Sequence, residues 1–287
     1  MIKVQNVVKN FKKVFVLRDL NLEIKPHERV ALVGQNGCGK TTLIRCLLGL
    51  YHFEGDIEIF GSKIKEQREE ALKKIAFVPQ SPPALKNTVD EIITLTSELC
   101  GFPASDVTPI ARRLGLDISR CHTVPFKGLS GGMKQKLLIA CALARKPQLL
   151  IMDEPSANLD PQARSVFFKL LSELPSETTM LLTSHRVDEL AGIVSRVIEL
   201  DAGVITIDDI VEGEDENTLR EEQLCFLEFK RMPESVKKAL TDWTFSPEDE
   251  NDLKWKGVIS SADSFRFHAT LTRWSGIIES INLRRKS

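Results

Sequence analysis

A glycine-rich segment that ends in lysine and threonine carries the clearest chemical signal in this sequence. Residues 34–41 read GQNGCGKT and satisfy the pattern G-x-x-x-x-G-K-[ST]. Glycines let backbone N–H groups turn inward around phosphate oxygens, Lys40 is suited to reach the outer phosphates, and the Thr41 hydroxyl is suited to bind Mg²⁺. The segment predicts a nucleotide phosphate site, and its candidate contacts are Gly34, Asn36, Gly37, Cys38, Gly39, Lys40, Thr41 and Thr42.

Two adjacent carboxylates form a second candidate group. Asp153 and Glu154 follow the apolar run LLIM and precede a proline. Ligands bind at the carboxyl ends of parallel strands, so this position suits a phosphate site. Asp153 is predicted to hold Mg²⁺ through its water shell, and Glu154 to polarise the water that attacks the γ-phosphate. An isolated Asp-Glu pair is also typical of a helix N-cap, but the upstream phosphate loop favours the catalytic interpretation.

The elements that must position these groups alternate along the chain. Apolar runs at 30–33, 149–152, 180–183 and 194–200 predict buried strands, and a further strand is predicted at 75–78. Helical spacing occurs between them, including a helix over 40–50 that begins inside the glycine-rich loop. Short β-rich runs open the chain at 2–4, 14–16 and 20–24. This alternation predicts an α/β fold with a mostly parallel central sheet covered by helices.

Composition shifts divide the chain further. A mostly helical insert is predicted over 81–146 within a first domain spanning 1–208. The acidic stretch EGEDEN marks a linker over 209–222. Residues 223–287 then predict a small α+β domain, with strands at 224–230, 253–260 and 276–283 and helices at 233–243 and 261–274. The alternative is an irregular tail packed on the first domain.

A third motif, LSGGMKQ at 129–135, narrows the interpretation. Ser130, Gly131 and Gly132 lie where a helix is predicted to begin, so the hydroxyl and free N–H groups can form a second anion site. Taken alone, the serine is equally typical of an ordinary helix cap. Together with the phosphate loop and the Asp153-Glu154 pair, this motif resembles the signature of the ABC ATPases, a family of P-loop NTPases, and the resemblance covers residues 1–208.

The resemblance implies ATP and Mg²⁺ as ligands and a paired assembly. In the family, two cassettes face head to tail, and each signature closes over the γ-phosphate held by the other subunit. A chain with one phosphate loop and one signature is therefore expected to form a homodimer or to pair with a related cassette. The partner beneath which it works is expected to be an integral membrane permease, supplied by a separate chain.

Four further positions match the family's order of motifs. Phe11 lies where the family places an aromatic ring against adenine, although tyrosine is more usual there and a buried core phenylalanine is the alternative. Gln80 matches the glutamine that reaches Mg²⁺ or water and links the site to the membrane partner. Asp160 matches the loop that crosses the dimer seam. His185 matches the histidine that contacts the γ-phosphate.

Composition limits the location and partners. The 39 basic and 40 acidic residues nearly cancel, so no nucleic acid is expected as a partner. No segment reaches the ~18 consecutive apolar residues of a membrane-spanning helix. The six cysteines include no CxxC pair, which favours reduced thiols in the cytosol over disulfides or zinc. Together with the resemblance to the ABC ATPases, this implies a cytoplasmic location, peripheral on the inner face of the cell membrane.

Two features of the sequence bear on the subtype. Met133 stands where the signature commonly has glutamine, and GMKQKL is more similar to cassettes of bacterial exporters and maturation systems than of nutrient importers. The alternative function is a soluble ABC protein acting on the ribosome or DNA, but such members usually carry two cassettes in one chain or long coiled coils. The C-terminal segment is expected to serve docking or dimerisation, with a small-molecule regulatory module as the alternative.

Overall fold

A computed structural model describes residues 1–184, 190, 192–210, 222–249, 251–260, 267, 271, 274 and 276–285. The chain divides into two compact units, one of residues 1–186 with 193–211 and the other of residues 187–192 with 212–287. Within the described ranges, no helix has the length and apolar character needed to cross a membrane.

The first unit alternates strands and helices, and it contains every strand that the apolar periodicity predicts together with further short elements. Its strands are β1 (Ile2–Phe11), β2 (Val14–Ile24), β3 (Arg29–Val33), β4 (Glu54–Ile59), β5 (Ser62–Lys63), β6 (Ile75–Val78), β7 (Leu149–Asp153), β8 (Thr179–Thr183), β9 (Arg196–Asp201) and β10 (Val204–Ile210). Its helices are α1 (Lys40–Leu47), α2 (Arg68–Leu72), α3 (Val89–Cys100), α4 (Val107–Arg113), α5 (Gly131–Ala144) and α6 (Pro161–Ser172).

The central sheet has the strand order β10-β9-β3-β8-β7-β6. Strands β9, β3, β8, β7 and β6 run parallel, and β10 pairs antiparallel with β9 at the edge. Every residue of β7 and β8 is buried, because helices cover both faces of such a sheet. This arrangement confirms the predicted α/β fold and brings the carboxyl ends of β3, β7 and β8 to one edge.

A second, antiparallel sheet has the order β2-β1-β4-β5. Strand β2 is continuous from Val14 to Ile24, whereas the sequence predicts two shorter runs. Strand β4 was not predicted, because its run EGDIEI holds only two large apolar residues. Both of them, Ile57 and Ile59, enter the core that also holds Leu17 and Leu43, so tertiary packing decides the conformation here.

Helices α3, α4 and α5 lie within the predicted insert and share a core of their own around Val89, Phe126 and Leu137. Thr88 begins α3 with a capping box, in which its hydroxyl accepts from the Glu91 N–H and the Glu91 carboxylate accepts from the Thr88 N–H. This local chemistry fixes where the helix starts after the loop that carries Gln80.

The second unit contains β11 (Glu222–Phe229), α7 (Glu234–Asp242), β12 (Ser246–Pro247), β13 (Lys254–Ser260) and β14 (Ile278–Arg285). They form an antiparallel sheet of order β12-β13-β11-β14, whose core includes Trp255 and Phe267. Of the helix predicted over 261–274, only residues 267, 271 and 274 are described.

The end of the first domain at 208 and the end of the linker at 222 remain predictions. Strand β10 continues to Ile210, and β11 begins at Glu222. Most of the predicted linker lies outside the described residues.

Candidate functional site

The phosphate loop connects the end of β3 to the start of α1, as the sequence predicts. Gly34 has φ 141°, and a side chain there would meet the Leu200 carbonyl oxygen at 2.1 Å, so only glycine fits. Helix α1 begins without a side-chain cap, which leaves its first N–H groups available to an anion. The Lys40 ammonium is buried beside the loop and donates to the carbonyl oxygens of Gly34 at 2.6 Å and Gln35 at 3.1 Å.

The outer side of this loop is held by the turn between β9 and β10. The Gly203 N–H donates to the Cys38 carbonyl oxygen at 3.0 Å, and the Gly203 carbonyl accepts from the Arg18 N–H at 3.0 Å. Gly203 has φ 84°, and a side chain there would meet the Val16 carbonyl oxygen at 2.3 Å. Burial raises the pKa of the Cys38 thiol, so Cys38 serves the loop through its backbone rather than as a thiolate. Gly203 was not predicted from the sequence as part of the site.

Asp153 joins the phosphate loop to two strands. Its side chain is almost fully buried at the end of β7. One carboxylate oxygen accepts from the Thr41 hydroxyl at 2.8 Å, and the other accepts from the Thr183 hydroxyl at 2.8 Å. Thr183 in turn accepts from the Glu154 N–H at 2.8 Å. Thr183 was not singled out from the sequence, although the end of β8 is where a neighbour of β7 must contribute a side chain.

Thr41 and Asp153 offer a hydroxyl and a carboxylate, the hard oxygen ligands that Mg²⁺ prefers. In the described part of the chain, no cluster of three or more His, Cys, Asp or Glu side chains could hold a metal ion. A Mg²⁺ ion at Thr41 and Asp153 would therefore complete its shell with water and substrate phosphate oxygens, which is the usual coordination of Mg²⁺ in nucleotide sites. The residues present fit the ion that the phosphate loop predicts.

Glu154 and Gln80 meet although they follow different strands. Gln80 Nε2 donates to Glu154 Oε2 at 3.0 Å. Glu154 adopts φ 46°, which turns the chain sharply away from β7. Gln80 therefore contacts Glu154 in this structure, while the Thr41 hydroxyl bonds to Asp153.

Gln135 connects the loops that carry these two side chains. It is fully buried on α5, and its Nε2 donates to the carbonyl oxygens of Pro155 at 3.2 Å and Pro79 at 3.5 Å. Its Oε1 has no hydrogen-bond partner among the residues that the structure describes. Gln135 thus ties the signature helix to the residues next to Glu154 and Gln80. Sequence reasoning missed this role, because a glutamine in a helix gives no indication of burial.

The signature residues begin α5. The Ser130 hydroxyl accepts from the Met133 N–H at 3.2 Å, so Ser130 is a helix cap in this structure. A side chain on Gly132 would lie 3.1 Å from the Asn158 carbonyl oxygen. Helix α5 therefore starts close against the loop before α6, and Gly131 lies between these two contacts. Among the described residues, no hydrogen bond joins the signature to the phosphate loop of the same chain.

Asp160 caps α6 and forms an ion pair with α5. Its carboxylate accepts from the Ala163 N–H at 2.8 Å and from the Lys136 ammonium at 2.8 Å. The hydrogen bond from Lys136, followed by that from Ala163, lowers the pKa of Asp160. The predicted seam residue is thus fixed relative to the signature helix of its own chain.

Phe11 ends β1 and is 42% exposed, which excludes the alternative of a core phenylalanine. It is available to a ligand, and it contacts Tyr51 edge-on with ring centroids 5.2 Å apart. His185 lies outside the described residues, although Ser184 directly before it is buried just after β8.

The chain is similar to known transporter subunits over its first unit. Residues 17–157 match the family model described as ABC transporter. The methionine import ATP-binding protein of Clostridium acetobutylicum is 35% identical over 71% of this chain and 67% of its own length. The lantibiotic transport ATP-binding protein SrtF of Streptococcus pyogenes is 32% identical over 74% of this chain and 92% of its own length.

A solved structure extends the match to the fold. It is a dimeric, post-hydrolysis state of the ATP-binding cassette MJ0796 bound to ADP and Pi. It shares 26% identity, covers 75% of this chain and 100% of its own, and superposes with a TM-score of 0.67. With the phosphate loop, the carboxylate pair and the signature in place, the chain belongs to the ATP-binding subunits of ABC transporters and is an ABC ATPase.

Proposed function

We propose that this chain hydrolyses Mg-ATP at the site built on residues 34–41, 153 and 154, and that it does so to drive a membrane permease. The observation that carries this proposal is the run of hydrogen bonds from Thr41 through Asp153 and Thr183 to the Glu154 N–H. It holds the phosphate loop and the carboxylate pair in a fixed arrangement relative to each other. A fixed arrangement suits phosphoryl transfer, because positioning and electrostatics supply most of the catalysis in that reaction.

The chain's own residues have distinct roles in this mechanism. Loop N–H groups and Lys40 bind the phosphate oxygens and stabilise the charge that develops on them. Glu154 orients a water molecule and accepts its proton as the oxygen attacks the γ-phosphorus, and the bond to the β-phosphate oxygen breaks to give ADP and phosphate. Thr41 and Asp153, with Gln80, would hold Mg²⁺, which offsets phosphate charge when bound. His185 is assigned to the γ-phosphate, and Asn36 and Thr42 to phosphate binding.

We infer a dimer in which each signature completes the other subunit's site. Among the described residues of one chain no hydrogen bond joins the signature to the phosphate loop, which supports this arrangement, as does the dimeric state of the similar cassette MJ0796. Asp160 would lie at the seam. A homodimer is the simplest form, and a related cassette could replace the second copy.

The partner is proposed to be an integral membrane permease, with this chain bound peripherally to it at the cytoplasmic face of the membrane. The matched relatives are named as ATP-binding proteins of transporters, and they include both an import protein and a lantibiotic transport protein. Met133 and the run GMKQKL favour the exporter type within that range. The first domain is proposed to end near residue 208 and to contain the helical subdomain over 81–146, with the domain over 223–287 serving docking.

The test is affinity purification of the Glu154→Gln chain with Mg-ATP from detergent-solubilised membranes of the native host, followed by mass spectrometry. The expected result is a polytopic membrane protein whose recovery depends on ATP. The Lys40→Ala chain is the matched control and should retain less of it. Recovery of ribosomal or DNA-repair proteins without any permease would overturn the transporter role while leaving the ATPase role intact.

A further inference from the structure

Phe11 belongs to a cluster of four side chains that reaches from β1 to the first helix. Its ring packs against Tyr51 at 5.2 Å with an interplanar angle of 82°. The Lys9 ammonium lies over the Phe11 ring, 4.6 Å from its centroid, and 5.6 Å from the centroid of Tyr51. The Arg45 guanidinium donates to the Tyr51 hydroxyl. Tyr51, Lys9 and Arg45 have no part in the site described above.

Tyr51 is fixed to α1, the helix that the phosphate loop opens. The Arg45 carbonyl oxygen accepts from the Leu50 N–H at 2.8 Å and from the Tyr51 N–H at 3.3 Å. The side chain of Arg45 binds the Tyr51 hydroxyl in addition. Backbone and side chain together hold the Tyr51 ring at a set position relative to the helix that begins at Lys40.

Phe11 has much less support from its own strand. It is the last residue of β1, it is 42% exposed, and the pairing of β1 with β2 shifts register between Lys9 and Asn10. An exposed phenylalanine at a strand end can occupy several rotamers. The edge-to-face contact with Tyr51 selects one of them, because such contacts have a preferred geometry.

Lys9 covers one face of the Phe11 ring. An ammonium above one face of a ring is attracted to it and occupies that face. A purine base that stacks on Phe11 must therefore use the opposite face. A stacked base adds binding energy without reading its identity through hydrogen bonds.

We propose that Tyr51 is a positioning residue for the adenine base, which it serves by holding the Phe11 ring at a fixed distance from the phosphate loop. The connection runs from Lys40 along α1 to Arg45, from Arg45 to Tyr51, and from Tyr51 to Phe11. This connection sets the distance between the group that binds the phosphates and the ring that binds the base. This inference rests on the proposed nucleotide site and adds a residue on which base binding depends.

The experiment compares a ligand that has a base with one that lacks it. Binding of Mg-ADP and of Mg-pyrophosphate to the purified full chain is measured by titration calorimetry, which avoids turnover. Tyr51→Ala is expected to weaken Mg-ADP binding by about threefold to tenfold, the effect of losing one aromatic pair, and to leave Mg-pyrophosphate binding unchanged. Tyr51→Phe keeps the ring, so its affinity for Mg-ADP should lie between those of Tyr51→Ala and the wild type.

Phe11→Ala and the double variant test whether Tyr51 acts through Phe11. The double variant should bind Mg-ADP no more weakly than Phe11→Ala alone, because the two residues share one effect. Phe60→Ala is the matched control. Phe60 packs on the same core and has the Lys74 ammonium 5.1 Å from its ring centroid. Its loss should leave the binding of both Mg-ADP and Mg-pyrophosphate unchanged.

Three results would overturn the proposal. Tyr51→Ala could weaken both ligands equally, which would mean damage to the phosphate loop. The two substitutions could be additive, which would mean that Tyr51 binds independently of Phe11. Mg-ADP binding could also be unchanged in Tyr51→Ala. A wild-type chain that binds neither ligand would instead refute the nucleotide site itself, and Lys40→Ala provides that reference.

Discussion

The Gln80 side chain donates to the Glu154 carboxylate across 3.0 Å, so the residue two positions after β6 reaches the residue directly after β7. The adjacent strands β6 and β7 make this contact possible, and Gln135 binds the carbonyl oxygens next to both residues. A displacement of α5 would therefore shift the Glu154 carboxylate, both through the backbone next to Glu154 and through its contact with Gln80.

Glu154→Gln should lower turnover by about 10²- to 10⁴-fold and preserve nucleotide binding. A glutamine keeps the size of the side chain but cannot accept a proton, and general base catalysis contributes about 10²- to 10⁴-fold. Phosphate release and Mg-ATP titration measure the two properties. Glu173→Gln, an exposed residue paired with Arg113 at 2.7 Å, is the matched control and should retain turnover. Wild-type turnover in Glu154→Gln would remove Glu154 from the mechanism.

Thr183→Val should lower both stability and activity. The substitution leaves the buried Asp153 carboxylate and the Glu154 N–H each without one hydrogen bond, at a cost of about 1–3 kcal/mol. Urea unfolding gives the free energy, and phosphate release gives the turnover of the folded protein.

The control for Thr183 lies on the same strand. The Thr179 hydroxyl accepts from the His27 N–H at 2.8 Å, away from the carboxylates. Thr179→Val should lose stability by a similar amount and keep its turnover. Equal turnover in both variants would show that Thr183 has only a structural role.

Gln135→Met should change activity more than stability. Methionine has a similar length, and it removes both the Nε2 bonds and the unpaired, buried Oε1, so the free energy of unfolding should change by no more than about 1 kcal/mol. Turnover should fall about tenfold, because a misplacement of about 1 Å can cost up to about 10²-fold. Gln148→Met, at an exposed position, is the control. Unchanged turnover in Gln135→Met would mean that the signature helix does not position Glu154 through Gln135.

Asp160→Asn should make stability less dependent on acid pH. The pKa of Asp160 is lowered below 3.8, so its charged form stabilises the fold above that pH, and this stabilisation is lost as the pH falls through the lower, folded-state value. Asparagine caps helices as well as aspartate does, which isolates the charge.

The difference in unfolding free energy between wild type and Asp160→Asn should therefore shrink as the pH is lowered from 5 towards 3, in urea titrations. The same comparison in a Lys136→Met background should show a smaller pH-dependent difference, since Lys136 is the main cause of the shift. A difference that does not vary with pH would contradict the assignment.

The parts of the site that lie within one short segment could be predicted from the sequence. Residues 34–41 carry their own conformation, and the apolar run before Asp153 indicates a buried strand. The α/β architecture follows from the same periodicity, and the similarity to other ABC subunits confirms it.

The contacts that depend on strand order could not be predicted. Thr183 and Gly203 approach the loop only because β8 and β9 flank β3 in the sheet, an order that periodicity does not reveal. Gln135 resembles any polar helix residue until its burial is known. Tyr51 follows a helix in an irregular segment, and only the fold brings it to Phe11.

At Glu154 the backbone conformation favours glycine, whereas the proposed reaction requires a carboxylate. A φ of 46° costs a non-glycine residue about 1–3 kcal/mol, and glycine would adopt it without that cost. Laboratory evolution for heat resistance alone should therefore enrich Glu154→Gly, whereas selection for transport should retain the carboxylate. The chain keeps the less stable residue at the position where its chemistry is proposed to occur.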